Sequence, residues 1–224
     1  MNQNNSCQYH PDTLTINAFA AGTIDTAEGL CIASHVQQCA ECKHQLNQLE
    51  TVGESFFMQP SQVLIAKGAK EGALKAIRQA KQVKPAPRTP TTSSSVPKVL
   101  YKWIPNGYDE LDWQTITREI STFDLTKNKK GTKVSLLKVK AGAHMPHHRH
   151  SGKEITVILQ GSFSDEDGIY SEGDYLVRET HENHSPIASK DKDCICLTLL
   201  DGPIELTGFF SKLLNPILRL KHSA

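Results

Sequence analysis

Two groups of residues in this chain have the types and spacing of metal ligands. The first is His35, Cys39 and Cys42, with His10 upstream; the second is His148, His150 and Glu154, with His184 thirty residues beyond Glu154. Thiolates with imidazole suit a tetrahedral zinc ion. Three imidazoles and a carboxylate suit zinc, iron(II), manganese or nickel, and often leave positions open to water or a small molecule. If the first group lies on a helix, His35 and Cys39 sit one turn apart on one face, and Cys42 follows where the chain enters the next helix. Closure needs a fourth donor, from His10 or Cys7. His10 is favoured because it immediately precedes the first helix, which can pack on the second. The competing reading of Cys39 and Cys42 is a redox dithiol. Such a pair normally follows a strand and opens a helix, whereas this one follows a helix. In the second group His148 and His150 alternate along a strand and therefore face one side. His144, His147 and His181 are read as exposed or supporting groups, with His147 on the opposite face from His148.

The elements that must position these groups differ between the two halves. Pro11-Asp12-Thr13 can start a short helix that runs through Phe19 and ends at Gly22. Asp25 and Glu28 form a capping box that opens a second helix to about Gln38, with Ala27, Leu30, Cys31 and Ser34 on one face. A third helix is expected from Ala40 to about Phe57, with Leu46 and Leu49 turned inward. A fourth is expected from Pro60-Ser61 to about Gln79. Residues 83–97 hold four prolines and a run of small polar residues, which cannot build a core and read as an extended linker. Beyond it the pattern becomes short β-type runs at Val134–Val139, Ile155–Leu159, Tyr175–Arg178 and Cys194–Leu199, separated by Gly, Asp and Asn turns. The expectation is a multi-domain chain: an all-α four-helix zinc domain over 1–82, a linker over 83–97, and an all-β barrel over 98–224. The tail from Phe209 to Leu220, interrupted by Pro216, is left open between helix and strand.

Composition sets limits on the partners. The 224 residues carry 25 Lys and Arg against 24 Asp and Glu. The first 97 residues are balanced in the same way, with eight basic and seven acidic groups. No basic bias points to direct nucleic-acid binding. The densest basic run, Lys127, Lys129, Lys130 and Lys133 around Gly131, reads as a solvated turn. The polar start Met-Asn-Gln-Asn-Asn-Ser lacks the apolar core of a signal peptide, and no run reaches the roughly 18 apolar residues of a membrane span. The expectation is a cytoplasmic protein with no membrane partner, in which six cysteines stay reduced and close pairs act as ligands or redox groups. Cys194 and Cys196 lie two apart on one strand face. That spacing favours simple packing over a mutual disulfide and leaves oxidant sensing as the second reading.

Both groups resemble known families. His10, His35, Cys39 and Cys42, with the two histidines 25 positions apart, are similar to the zinc-binding anti-sigma motif, and Leu14 to Cys42 resembles that domain throughout. Gly142, His148, His150, Glu154 and Gly161 are spaced as in the first cupin motif. Gly173-Asp174 through His184-Ser185-Pro186 resembles the second and supplies His184 as the fourth ligand. Glu154 to Gly161, Asp165 to Tyr170 and Asp193 to Leu197 are similar to the C-terminal domain of ChrR-like anti-sigma factors. The resemblance implies a helical module that clasps an ECF-type sigma factor, followed by a metal-bearing cupin sensor of singlet oxygen or related oxidative stress. It implies a regulator rather than an enzyme, with no catalytic residues. Cys7 and Cys31 depart from the motif as additional thiols. The alternative is a metal-dependent cupin enzyme, a dioxygenase or isomerase, with an accessory zinc domain.

Overall fold

The computed structural model describes residues 7–58, 65–80, 96–127, 131–180, 182–207 and 215. Four helices come first: α1 (Thr13–Ala20), α2 (Thr26–Val36), α3 (Ala40–Phe57) and α4 (Ala69–Gln79). Each of the first three starts where the chemistry of its N-cap dictates. Asp12 accepts from Thr15 N at 2.7 Å and Asp25 from Ala27 N at 2.8 Å, satisfying amide donors that have no helical partner. The box expected at Asp25 is only half made, because Glu28 turns away to Lys153 at 2.9 Å. The cap of α3 is Cys39, whose sulfur accepts from Cys42 N. α4 begins at Ala69, after Gly68 in a left-handed conformation, rather than at Pro60-Ser61, which lie outside the described residues. The linker stretch 83–95, His181 and nearly all of the 209–220 tail also fall outside them. No described helix is long and apolar enough to cross a membrane.

After short helical turns at Lys98–Leu100 and Tyr108–Glu110 the chain is β-structured. The strands are β1 (Gln114–Thr115), β2 (Ile120–Lys127), β3 (Lys133–Val139), β4 (His148–His150), β5 (Glu154–Gln160), β6 (Ser162–Ser164), β7 (Ile169–Ser171), β8 (Tyr175–Arg178), β9 (Asn183–His184), β10 (Ile187–Ala188), β11 (Cys194–Leu200) and β12 (Ile204–Leu206). They form a six-stranded antiparallel sheet in the order β1-β2-β3-β11-β5-β8, with two smaller sheets, β10-β6-β7 and β12-β4-β9. This is the antiparallel all-β architecture expected from the pattern of short strands.

The central strands β5 and β11 are buried along almost their whole length. Strand periodicity explains how both faces are used. Ile155, Val157 and Leu159 of β5, with Ile195, Leu197 and Leu199 of β11, share one core with Ile16, Cys31, Ile32 and Val36 of α1 and α2. The alternate residues Glu154, Thr156, Cys194, Cys196 and Thr198 line the barrel interior. A sheet covered on both faces needs largely apolar strands, and Ile-Thr-Val-Ile-Leu is apolar at every position but Thr156, which faces the cavity. Each fully buried Leu or Ile on the helix-facing side contributes about 1.5–3 kcal/mol. The same packing explains why α2 buries Ile32, His35 and Val36 besides the predicted Cys31 and Ser34. It is wedged between α1, α3 and the sheet.

Candidate metal centres

The first cluster forms where the segment before α1, the end of α2 and the start of α3 converge. The donor atoms of His10, His35, Cys39 and Cys42 all lie within 4.8 Å of one another. His10 Nδ1 is 3.4 Å from both Cys39 Sγ and Cys42 Sγ. A tetrahedral zinc ion with Zn–S near 2.3 Å and Zn–N near 2.1 Å has N···S edges of about 3.6 Å, so this spacing fits. His35 supplies the second test. It is fully buried, and its Nδ1–H donates to the Gly173 carbonyl at 2.6 Å. That hydrogen bond fixes the tautomer and leaves Nε2 an unprotonated lone pair. Nε2 has no hydrogen-bond partner. A buried lone pair with no donor near it fits a cation.

Burial pushes the His35 imidazole down to about 4, so it stays neutral as a ligand must. Burial, followed by the neighbouring Cys39, pushes the Cys42 thiol up to about 12. A bound cation would reverse that balance and hold the thiolate. Glu41 lies 3.7 Å from His10 Nε2, on the outer side of the ring. Cys7 is beside the cluster without joining its four converging donors; burial and Cys39 push its thiol up to about 12. Cys31 is core, fully buried, its thiol pushed higher still by desolvation.

The second cluster sits on the barrel interior. β4 carries His148 and His150 on one face, β9 brings His184 opposite His148, and β5 opens with Glu154. His184 Nε2 is 2.9 Å from His148 Nε2 and 3.1 Å from His150 Nε2, while Glu154 Oε2 is 2.8 Å from His150 Nε2 and 3.9 Å from His184 Nε2. Adjacent donors about 2.1 Å from one metal at right angles are about 3.0 Å apart. His148 Nδ1–H donates to Pro146 O at 2.8 Å, and His184 Nδ1 stands 3.5 Å from the Asp165 carboxylate. With the His184 proton on Nδ1, the side that faces Asp165, both Nε2 atoms present lone pairs to each other at 2.9 Å, which is unfavourable unless a cation lies between them.

Burial takes His148 down to about 4 and lowers His184 as well, keeping both neutral. Burial alone would raise Glu154, but the surrounding imidazoles, His150 foremost, hold it below the usual carboxylate range. His148, Glu154 and His184 open onto a cavity of about 390 Å³ whose walls include Leu137, Val139, Phe163, Cys194 and Cys196. A cation there would face a largely apolar chamber large enough for a small organic molecule. Cys194 Sγ and Cys196 Sγ are 3.6 Å apart on its wall. Their mutual hydrogen bond, followed by burial, raises the Cys196 thiol well above its ordinary value. His144 and His147 are exposed and stand outside the cluster.

The supporting roles of the residues around the clusters escaped the sequence reading, which noted Asp165 to Tyr170 and Gly173-Asp174 only as segments of resemblance. Asp165, Tyr170 and Arg178 brace His184, while Gly173 and Asp174 receive the segment before α1 and His35. Two signals were legible: the Asp-x-Asp-Gly turn at Asp165 to Gly168, and Gly173 before a strand, with φ +97°.

Residues 106–203 match the family described as the ChrR cupin-like domain. Over 214 residues the chain is 28% identical to the anti-sigma-E factor ChrR of Cereibacter sphaeroides, covering 95% of this chain and 99% of that protein. A chain in the crystal structure of Rhodobacter sphaeroides SigE in complex with the anti-sigma ChrR matches with a TM-score of 0.68 and 27% identity, covering 86% of this chain and 98% of that one. Helices, barrel and both clusters stand in one chain, and its similarity to ChrR runs through both halves, with residues 106–203 matching the ChrR cupin-like domain.

Proposed function

We propose that this chain is an anti-sigma factor. Its helical domain, residues 1–82, sequesters an ECF-type sigma factor; its cupin domain, residues 98–224, releases it in response to singlet oxygen or related oxidative stress. Residues 83–97 join the two. Zinc on His10, His35, Cys39 and Cys42 staples the helical domain, and zinc or another divalent ion such as iron, manganese or nickel sits on His148, His150, Glu154 and His184. The action is cytoplasmic, without direct contact to nucleic acid or membrane and without turnover of a substrate.

The observation that carries this reading is the apolar surface of the helical half. Phe56, Phe57 and Met58, at the end of α3, are 77%, 84% and 81% exposed. α4 buries none of its residues, although Leu74 and Ile77 fall on one side of it. Large apolar side chains grouped in this way mark a protein-binding surface. The relative seen in complex with SigE supports a sigma factor as the partner. Within the cupin, Glu154 and the imidazoles hold the cation against the cavity, where it supplies Lewis acidity when bound.

Co-expression with an ECF-type sigma factor tests the reading. The intact protein should co-purify with it, and Phe56→Asp with Phe57→Asp should abolish the complex while both metals remain bound. Persistence of the complex in that variant would remove the proposed surface. The cavity beside the second cluster favours one alternative, a metal-dependent dioxygenase or isomerase. Oxygen consumption by the iron-loaded protein with a small substrate would establish it.

A further inference from the structure

The two clusters are joined by a continuous path of side chains. It starts at His184 of the barrel cluster, whose Nδ1 stands 3.5 Å from Asp165 Oδ2. The Asp165 side chain is fully buried. Its Oδ1 accepts from the Tyr170 hydroxyl at 3.0 Å and from the Asp167 and Gly168 amides, while Arg178 donates to Oδ2 at 2.6 Å. Arg178 also donates to the Tyr170 hydroxyl at 2.9 Å. The Tyr170 ring meets the Tyr9 ring edge-on at 4.9 Å, and Tyr9 immediately precedes His10 of the helical cluster.

A second branch leaves Tyr170 along the backbone. Three residues on, Gly173 offers its carbonyl to His35, and Asp174 accepts from Gln8 N at 2.6 Å and Tyr9 N at 3.1 Å. Tyr175 N donates to Tyr9 O at 3.0 Å. Two of the four donors in the helical cluster, His10 and His35, are thus positioned by the β7–β8 turn. That turn is positioned in turn by the carboxylate that orients His184. The fit is tight: a methyl group at Gly168 would lie 2.8 Å from the Tyr9 hydroxyl, and one at Gly173 2.6 Å from Cys7 Sγ.

We propose that Asp165 and Tyr170 are positioning residues that couple the two clusters, so that occupancy of the barrel cluster sets the metal affinity of the helical one. The proposal rests on the reading of both clusters as metal sites. Filling the barrel site pins His184, Asp165 holds against it, and Tyr170 holds the Cys7–Tyr9 segment and the Gly173 carbonyl in register. Emptying it frees His184 and relaxes the same chain. Coupling of this kind is a free energy shared by two sites and is measurable as an affinity ratio.

The experiment titrates zinc into the full chain against a chromophoric chelator. The helical-site dissociation constant is measured in the unaltered protein with the barrel site loaded, and again in His148→Ala with His150→Ala, where that site cannot fill. Loading should tighten the helical site at least fivefold. Tyr170→Phe keeps the ring on Tyr9 and deletes the hydroxyl bridging Asp165 and Arg178; it should bring the ratio close to one while two metals still bind. Tyr108→Phe, which removes a buried hydroxyl with no hydrogen-bond partner, should leave the ratio intact. Two metals bound with a ratio of one in the unaltered protein, or an undiminished ratio in Tyr170→Phe, overturns the coupling alone. Fewer than two metals in the unaltered protein overturns the metal-site reading beneath it.

Discussion

The helical cluster and the barrel cluster are built from overlapping residue types, yet they face opposite surroundings. The first lies between three packed segments, with His35, Cys39 and Cys42 buried. The second forms part of the wall of a chamber. A cation among thiolates that fill its coordination holds chain segments together; one on imidazoles and a carboxylate, beside a cavity, is available to small molecules. The lesson is that ligand identity and solvent geometry vary together, so the two sites can divide structural and responsive roles.

The largest effect expected from this contrast comes from the helical site. Cys39→Ser with Cys42→Ser removes a centre whose apparent binding energy in small zinc domains is about 10–16 kcal/mol. Helical circular dichroism and sigma binding should both collapse. The matching change in the barrel, His148→Ala with His150→Ala, should leave helix content and sigma binding in place while abolishing oxidant-driven release. Equal losses in the two variants would erase the distinction.

The shared wall offers a smaller test. Leu197 and Thr198 are neighbours on β11 that face opposite sides, the helical module and the cavity. Leu197→Ala should cost about 2–5 kcal/mol in chemical denaturation and bring the helices and the sheet down together.

Acid sharpens the contrast further in the metal-free protein. His35 and His148 have folded values near 4, against 6.5 for the ordinary imidazole. Between those values the unfolded chain binds more protons than the folded one, so stability rises with pH through the window and falls as pH drops through it. Each imidazole contributes a slope of up to about 1.4 kcal/mol per pH unit, readable from urea midpoints between pH 6.5 and 4. The slope should lessen once metals are bound. The smallest effect is expected at the cavity: Thr198→Ala, which deletes a hydroxyl bonded to Ser135, should cost about 1 kcal/mol.

Much of this architecture was legible in the sequence, because both clusters follow local geometry. The i, i+4 spacing of His35 and Cys39 on α2, and the alternation of His148 and His150 on β4, fix direction without reference to distant residues. The structure brings His10, His35, Cys39 and Cys42 together in one group and His148, His150 and His184 in another, with Glu154 2.8 Å from His150 Nε2. The contacts between the halves were hidden. A carbonyl at Gly173 that selects the His35 tautomer, and a carboxylate at Asp174 that holds Gln8 and Tyr9, are separated from their partners by 138 or more residues. No periodicity encodes such pairings. Glu28 shows the same limit: its place in a capping box was the local expectation, and Lys153 took it across the interface.

The alternation along β5 and β11 also constrains how the protein can be divided. Ile155, Val157, Leu159, Ile195 and Leu197 occupy positions that most antiparallel sheets give to solvent, and here the cover comes from α1 and α2. A fragment beginning at residue 98 would keep the cavity and its ligands but carry a bare apolar plane. Such a plane drives self-association, so the isolated barrel would seek a second copy of itself wherever its own helices were missing.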